Sequence, residues 1–106
     1  MEETSPMSHP SKLKGNRLER LVVKMAIEAG LSAKRAYASD GRSLGEAEDV
    51  DVLIDGKFKV QCKSRKKIAE YITPPKSCDF TVVKENRGEV LAVLPLKELL
   101  THLWYE

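Results

Sequence analysis

The sequence is poor in the residues and segments that mark several classes of protein. It has only two cysteines and two histidines in 106 residues, and Cys62 and Cys78 have neither zinc-site spacing nor a histidine pair to complete a site. Free thiols in a reducing cytoplasm are therefore expected. No stretch approaches the ~20 apolar residues of a membrane span, and residues 1–11 lack the apolar region of a signal peptide. We expect a soluble protein that is not secreted by that route.

Length and composition indicate one small globular domain. The chain is long enough for one compact domain and too short for two. Hydrophobic residues make up 42% and charged residues 32% of the sequence, a balance that argues against a disordered chain. Residues 1–14 are polar and contain two prolines. They predict a flexible, basic N-terminal arm, followed by a domain over residues 15–106.

Charge is distributed unevenly, although the net charge is only +2. Residues 57–67 contain no acid and carry the cations Lys57, Lys59, Lys63, Arg65, Lys66 and Lys67. Acids are clustered just before them, as Glu46, Glu48, Asp49, Asp51 and Asp55. An acidic cluster that leads into a basic one indicates a site for both cations and phosphates. Two oppositely charged solvated surfaces would produce the same pattern.

Hydrophobic periodicity predicts an α/β fold. Apolar residues at helical spacing predict a first helix from about Asn16 to Ala29, which Gly30 ends. The later elements are a strand over 33–38, a hairpin over 49–65, a short helix over 66–72, strands over 79–84 and 90–94, and a helix over 96–105. The two strands before the last helix are apolar throughout, which predicts burial on both faces. The order α-β-β-β-α-β-β-α predicts a mixed central β-sheet flanked by helices.

The hairpin has the most informative register. A three-residue loop at residues 55–57 would pair Ile54 with Phe58 and Val52 with Val60, which gives one wholly apolar face. A two-residue loop would mix polar and apolar side chains, so we favour the longer loop. The opposite, open face then carries Asp51, Gln61 and Lys63, with Asp49 beside them. Cys62 would point to the core.

The open face of this hairpin has the residue types of a magnesium site. Carboxylate and amide oxygens suit Mg²⁺, which takes one or two protein carboxylates and keeps several waters. A nearby lysine can hold a water or stabilise developing phosphate charge, as phosphodiester hydrolysis requires. The structural alternative is a solvated hairpin in which Asp49 and Lys63 form a cross-strand ion pair.

Two segments carry a resemblance to a known family. DVLIDGKFKVQCK (residues 51–63) resembles the bipartite core of the PD-(D/E)XK nuclease superfamily, an acid on one strand and (D/E)-x-K on the next. KGNRLERL (residues 14–21) is similar to the first helix of archaeal and phage Holliday junction resolvases, in which a glycine precedes a catalytic glutamate, here Glu19. The loop GRSLGEAEDVD (residues 41–51) also fits. The resemblance covers roughly residues 12–100.

This resemblance implies a Mg²⁺-dependent DNA endonuclease of restriction-endonuclease-like fold, in which Mn²⁺ can substitute. Asp51 and Glu19 would hold the metal with Gln61 and the Cys62 carbonyl, and Lys63 would position the attacking water. The substrate would be a four-way junction, whose two-fold symmetry implies a homodimer. The location would be the cytoplasm of a prokaryotic or phage-infected cell.

The sequence departs from the family pattern at two positions. Gln61 stands where most relatives have Glu or Asp, a Q-x-K form that resembles modification-dependent restriction nucleases of the superfamily. The proline that usually precedes the first acid is missing, which leaves Asp49 and Asp51 as candidates for the metal acid; we favour Asp51. Glu19 also has a structural alternative, because with Asn16 it could form a helix capping box.

Phosphate contacts are expected from cations on the arm, on the first helix and after the hairpin, namely Lys12, Lys14, Arg17, Arg20, Arg65, Lys66 and Lys67. Two other functions are compatible with the sequence. One is another nuclease of the superfamily, of restriction or repair type. The other is a catalytically weak DNA-binding module of the same fold.

Overall fold

The computed structural model describes residues 10–36 and 40–105, with side chains from residue 15 onward. Within these ranges the chain forms a small mixed α/β structure with two α-helices and two antiparallel sheets. It divides into two compact units, residues 1–65 and 66–106. Units of this size can be parts of one domain, so the single domain over residues 15–106 stays a prediction. No helix among the described residues is long and apolar enough to cross a membrane.

Helix α1 (Pro10–Glu28) begins earlier than the predicted start at Asn16. Proline is favoured in the first helical turn because its φ is already helical and its missing N–H is not needed there. Residues 10–14 therefore belong to the helix and not to the predicted arm, whose residues 1–9 lie outside the described part of the chain. The predicted end is confirmed: Gly30 has a φ of 94°, the left-handed conformation that commonly follows a helix.

Strands β1 (Ala33–Arg35), β2 (Val52–Ile54) and β3 (Phe58–Val60) form an antiparallel three-stranded sheet in that order. The predicted hairpin register is confirmed, because Ile54 pairs with Phe58 and Val52 with Val60. Val52 and Ile54 are almost fully buried, as are Val22 and Ala26 on α1. These apolar side chains make up much of the core of the first unit.

The regular pairing of β2 with β3 breaks at Asp51. The amide of Asp51 donates to the carbonyl of Val60 at 2.8 Å, whereas the register of the hairpin would pair Asp51 with Gln61. A displacement of one residue is the signature of a β-bulge, which re-aims the side chains next to it. Val50, Asp51 and Val52 are consequently all buried, although alternation along a strand would expose one of them.

In the loop before β2, Gly41 lies close to the backbone of Ala47 and Val50. Gly41 also begins a short 3-10 helix (Gly41–Leu44). A methyl group on Gly41 would collide with the Ala47 carbonyl oxygen and lie 2.8 Å from the Val50 carbonyl oxygen. The Gly41 amide donates to the Glu48 carbonyl at 3.3 Å. Only glycine allows this loop to fold back beside the start of β2.

The second unit contains strands β4 (Thr81–Val83) and β5 (Leu91–Val93) and helix α2 (Leu96–Trp104). β4 and β5 form a separate antiparallel sheet, so the described strands form two antiparallel sheets and the predicted single mixed sheet is wrong. Burial of both strands on two faces is also wrong, since Val82 and Leu91 are exposed. An antiparallel hairpin needs only one covered face, which their apolar sequence does not reveal.

The helix predicted over residues 66–72 is only a 3-10 helix at Glu70–Ile72. Ala69 before it has an extended backbone, and the Pro74-Pro75 pair follows it closely, so there is no room for a longer helix. α2 matches its predicted range to within one residue. It buries Leu100 and leaves Leu99 and Trp104 exposed.

We expect Gly41→Ala to lower the free energy of unfolding by about 1–3 kcal/mol, because the new methyl group meets two backbone carbonyls that cannot move independently. The matched control is Gly15→Ala, since a methyl group on Gly15 meets nothing within 4 Å. Alanine in place of a helical glycine should stabilise by roughly 0.5–1 kcal/mol. Urea unfolding of the three proteins measures both changes. A similar stability of the two variants would contradict this account of the loop.

Candidate active site

A cleft of about 540 Å³ opens in the first unit between α1, the loop before β2 and the chain after β3. It is lined by Gly15, Asn16, Glu19, Asp40, Glu48, Asp49, Asp51, Gln61, Cys62, Lys63, Ser64 and Arg65. All five residues predicted to hold the metal or act in catalysis therefore border the same cleft. Glu19, which comes from α1, reaches it from a different element than the hairpin residues.

Asp51 is held in the cleft wall by the backbone. The prediction that it lies on an open strand face is wrong, because the bulge turns it inward and only 8% of it is exposed. Its Oδ2 accepts a hydrogen bond from the Cys62 amide at 2.7 Å. The side chain thus takes the place of a backbone acceptor in the ladder, which fixes the carboxylate relative to both strands. Gln61 and Lys63 are exposed, as predicted.

Glu19 is even more buried, with 3% exposure. Its Oε1 accepts a hydrogen bond from Nε of Arg35 at 3.2 Å, and Nη2 of the same guanidinium donates to Oδ1 of Asn16 at 3.4 Å. Arg35 on β1 therefore joins two side chains of α1. The capping-box alternative for Glu19 is wrong, because α1 begins at Pro10 and Asn16 lies inside the helix.

The pKa of the Cys62 thiol shows the effect of burial and of nearby negative charge at this end of the cleft. This thiol is half-buried and free. Burial, together with the negative charges of Asp51 and Glu19, raises the pKa of the Cys62 thiol to about 11. The thiol is therefore protonated at neutral pH. Because Asp51 and Glu19 both raise the pKa of the same thiol, both carboxylates lie close enough to Cys62 for their negative charges to affect it.

The structure distinguishes the two candidates for the metal acid by their surroundings. Asp49 is exposed at the cleft, whereas Asp51 is buried and hydrogen-bonded to the backbone. The ion pairs among the described residues are Arg35–Glu19, Arg42–Asp40 and Lys59–Glu46. Asp49 and Lys63, both described residues, do not form the cross-strand ion pair on which the solvated-hairpin alternative depends. Lys63 remains available at the cleft.

The donor set determines which metal the cleft suits. Within residues 10–36 and 40–105, no three His, Cys, Asp or Glu side chains are arranged to hold a metal ion. The oxygen-bearing side chains that line the cleft include the two buried carboxylates, Asp51 and Glu19, and the neutral amide of Gln61. Such a set fits Mg²⁺, which binds through one or two carboxylates and keeps several waters. It does not fit zinc, which prefers nitrogen and sulfur ligands.

The predicted phosphate-binding cations occupy different places. Arg17 and Arg20 are exposed on α1, and Arg65 lines the cleft. Lys66 and Lys67 are exposed in the second unit. Lys12 and Lys14 lie on α1, but their side chains are outside the described residues.

Two further lysines of the basic cluster have partners within the protein. The ammonium of Lys57 lies 5.0 Å from the centre of the Phe58 ring, a cation–π distance. Lys59 forms a 3.3 Å ion pair with Glu46. The cluster of residues 57–67 is therefore not a uniform phosphate-binding surface.

Sequence reasoning missed Arg35, Asp40 and Ser64. Arg35 could have been found by asking which cation accompanies Glu19 if that carboxylate is buried, since buried charges are paired. Asp40 borders the cleft and caps the 3-10 helix, where the Arg42 side chain holds the pKa of the Asp40 carboxyl below its usual value. Ser64 carries no signal in the sequence that would have identified it.

Compared with protein-family models, with curated proteins and with solved structures, the chain matches none.

We expect Arg35→Met to lower the free energy of unfolding by about 3 kcal/mol, because it removes the guanidinium that pairs with the buried Glu19 carboxylate. Adding Glu19→Gln to Arg35→Met should restore part of the loss, since the buried group is then neutral. The matched control is Arg42→Met. The side chain of Arg42 is 72% exposed in its pair with Asp40, so this change should alter stability much less than Arg35→Met does. Urea unfolding measures all three, and equal losses in the two single variants would contradict the structural role of Arg35.

Proposed function

We propose that the chain is a Mg²⁺-dependent DNA endonuclease of restriction-endonuclease-like fold, and that it cleaves four-way or other branched DNA. One observation carries the proposal. Glu19 on α1 and Asp51 just before β2 are buried carboxylates, and they border one cleft with the exposed side chains of Gln61 and Lys63. Such an arrangement combines oxygen ligands for a hard cation with a lysine for phosphate chemistry.

In this proposal each residue of the cleft has a distinct role. Asp51 and Glu19 would hold Mg²⁺ together with the amide oxygen of Gln61 and the carbonyl of Cys62. When bound, the ion polarises the phosphate and lowers the pKa of a coordinated water. Lys63 orients the attacking water and stabilises charge on the phosphate oxygens. The water oxygen bonds to phosphorus and the bond to the leaving 3′ oxygen breaks, which gives a 5′-phosphate and a 3′-hydroxyl.

The charge balance of the cleft supports metal dependence. Its lining contains five acids, Glu19, Asp40, Glu48, Asp49 and Asp51, and two cations, Lys63 and Arg65. A surface with this excess of negative charge repels a phosphodiester. A bound divalent cation offsets two of the charges and attracts the phosphate. We therefore expect DNA to enter the cleft productively only when the metal is present.

A homodimer is part of the proposal. A four-way junction has two-fold symmetry, and its resolution needs two symmetric cuts, which two copies of one cleft can make. A single unit with one cleft makes one cut at a time.

The first alternative, a restriction or repair nuclease of the same superfamily, would use the same cleft on a different DNA. The second alternative, a DNA-binding module with little activity, is less compatible with the cleft. Buried carboxylates weaken phosphate binding, so a module that only binds DNA gains nothing from Asp51 and Glu19. Substrate choice and metal dependence distinguish the three functions.

The proposal is tested by incubating the protein with linear, flapped and four-way DNA of matched sequence, in Mg²⁺ or in EDTA. We expect cleavage of the four-way DNA in Mg²⁺ alone, and a loss of at least about a hundredfold in Lys63→Met and Asp51→Asn. Asp51→Asn is preferable to alanine because the asparagine oxygen can still accept the hydrogen bond from the Cys62 amide. Lys34→Met, an exposed lysine of β1 that does not line the cleft, is the control and should cleave normally. Cleavage in EDTA, or full activity of Lys63→Met, would contradict the proposal.

Gln61 allows a test of metal binding by charge. We expect Gln61→Glu to remain active and to need less Mg²⁺, because a carboxylate attracts the ion more strongly than an amide oxygen. Gln61→Ala should lose most activity, since one ligand position passes to solvent. The cleavage rate is measured for the three proteins across a Mg²⁺ titration. Full activity of Gln61→Ala at ordinary Mg²⁺ would remove Gln61 from the site.

A further inference from the structure

Helix α1 has an outer face on which three cations are aligned. Arg17, Arg20 and Lys24 are all exposed, and at 3.6 residues per turn they fall within an arc of about 60°. None of the three forms an ion pair with a described carboxylate. The opposite face of the same helix carries the buried residues Glu19, Val22 and Ala26. The catalytic cleft and this cationic face therefore belong to one helix.

A shallow groove connects the cleft to the outer face of α1. It has a volume of about 250 Å³ and is lined by Arg17, Leu18, Leu21 and Ser64. Ser64 also lines the candidate cleft, so the two depressions share this residue. A chain that leaves the cleft past Ser64 would enter the groove and reach the cations of α1.

We propose that the DNA strand on one side of the cleaved phosphate leaves the cleft over Ser64 and follows the outer face of α1. Arg17, Arg20 and Lys24 contact its successive phosphates. This inference rests on the proposed function. It adds Lys24, which was not among the cations predicted from the sequence. It also assigns the side of the cleft on which the bound strand leaves.

Spacing and composition support DNA as the occupant. Arg17 and Lys24 are seven residues apart, which is about 10.5 Å along a helix, a length over which the three cations can face about three consecutive phosphates of one strand. Leu21 and Ile27 are exposed only at the two edges of the cationic face. A helix that lies on a membrane needs a broad apolar face opposite its cations. The opposite face of α1 is instead packed in the protein core.

The test compares Lys24→Gln with the matched control Lys34→Gln, an exposed lysine of β1 that lines neither depression. Binding of the full chain to the four-way DNA is measured in Mg²⁺ over a range of salt concentrations, with both changes made in the cleavage-deficient Lys63→Met protein. Loss of one phosphate contact lowers the magnitude of the log–log salt slope by about 0.9, which at 0.15 M salt raises the Kd about fivefold. Lys34→Gln should change neither quantity. Equal binding by the two variants would overturn the proposed path.

The direction of the strand is tested with DNA in which single phosphates are replaced by neutral methylphosphonates. Wild-type affinity should fall for replacements within about three nucleotides of the cut on one side only, and Lys24→Gln should lose part of that sensitivity. Equal sensitivity on both sides would overturn the assigned path. If wild-type protein binds no DNA, the path and the proposed function both fail. If it binds DNA and does not cleave it, only the activity fails, and the Lys24 comparison still decides the path.

Discussion

The hydrogen bond between the Cys62 amide and the Asp51 carboxylate, 2.7 Å long, is the interaction on which the candidate site depends. It exists because the pairing of β2 with β3 is displaced by one residue at Asp51. The bulge turns the Asp51 side chain inward. Its carboxylate then accepts the hydrogen bond of the Cys62 amide, which has no backbone acceptor where the regular pairing ends. The bulge thus fixes the Asp51 carboxylate beside the segment after β3, which carries Gln61 and Lys63.

Two other contacts complete the cleft around Asp51. Arg35 pairs with Glu19 and contacts Asn16, which fixes α1 against β1. Gly41 allows the preceding loop to fold close to Val50, next to the bulge. The second carboxylate is therefore held by a side-chain ion pair, whereas the first is held by the backbone. Both carboxylates are buried, so a metal that offsets their charges should also stabilise the first unit.

The hairpin could be predicted from the sequence because apolar and polar residues alternate along both strands. Of the two loop lengths considered, only the three-residue loop places the apolar residues on one face. The bulge could not be predicted, since a displacement of one residue leaves no trace in the alternation of DVDVLI. Glu19 was identified only through resemblance, and Arg35 was missed because its partner lies 16 positions away on another element. In the second unit, apolar composition predicted strands correctly but not their exposure, because composition does not say which faces are covered.

We propose that Asp51 and Glu19 together hold a divalent metal in the cleft. Anomalous diffraction from crystals of the protein grown with Mn²⁺, which we expect to replace Mg²⁺, tests this most directly. We expect an anomalous peak in the cleft, within roughly 2.0–2.3 Å of a carboxylate oxygen of Asp51 and close to Glu19. A cleft without a peak at saturating Mn²⁺, or a peak held by Asp49 without Asp51, would contradict it.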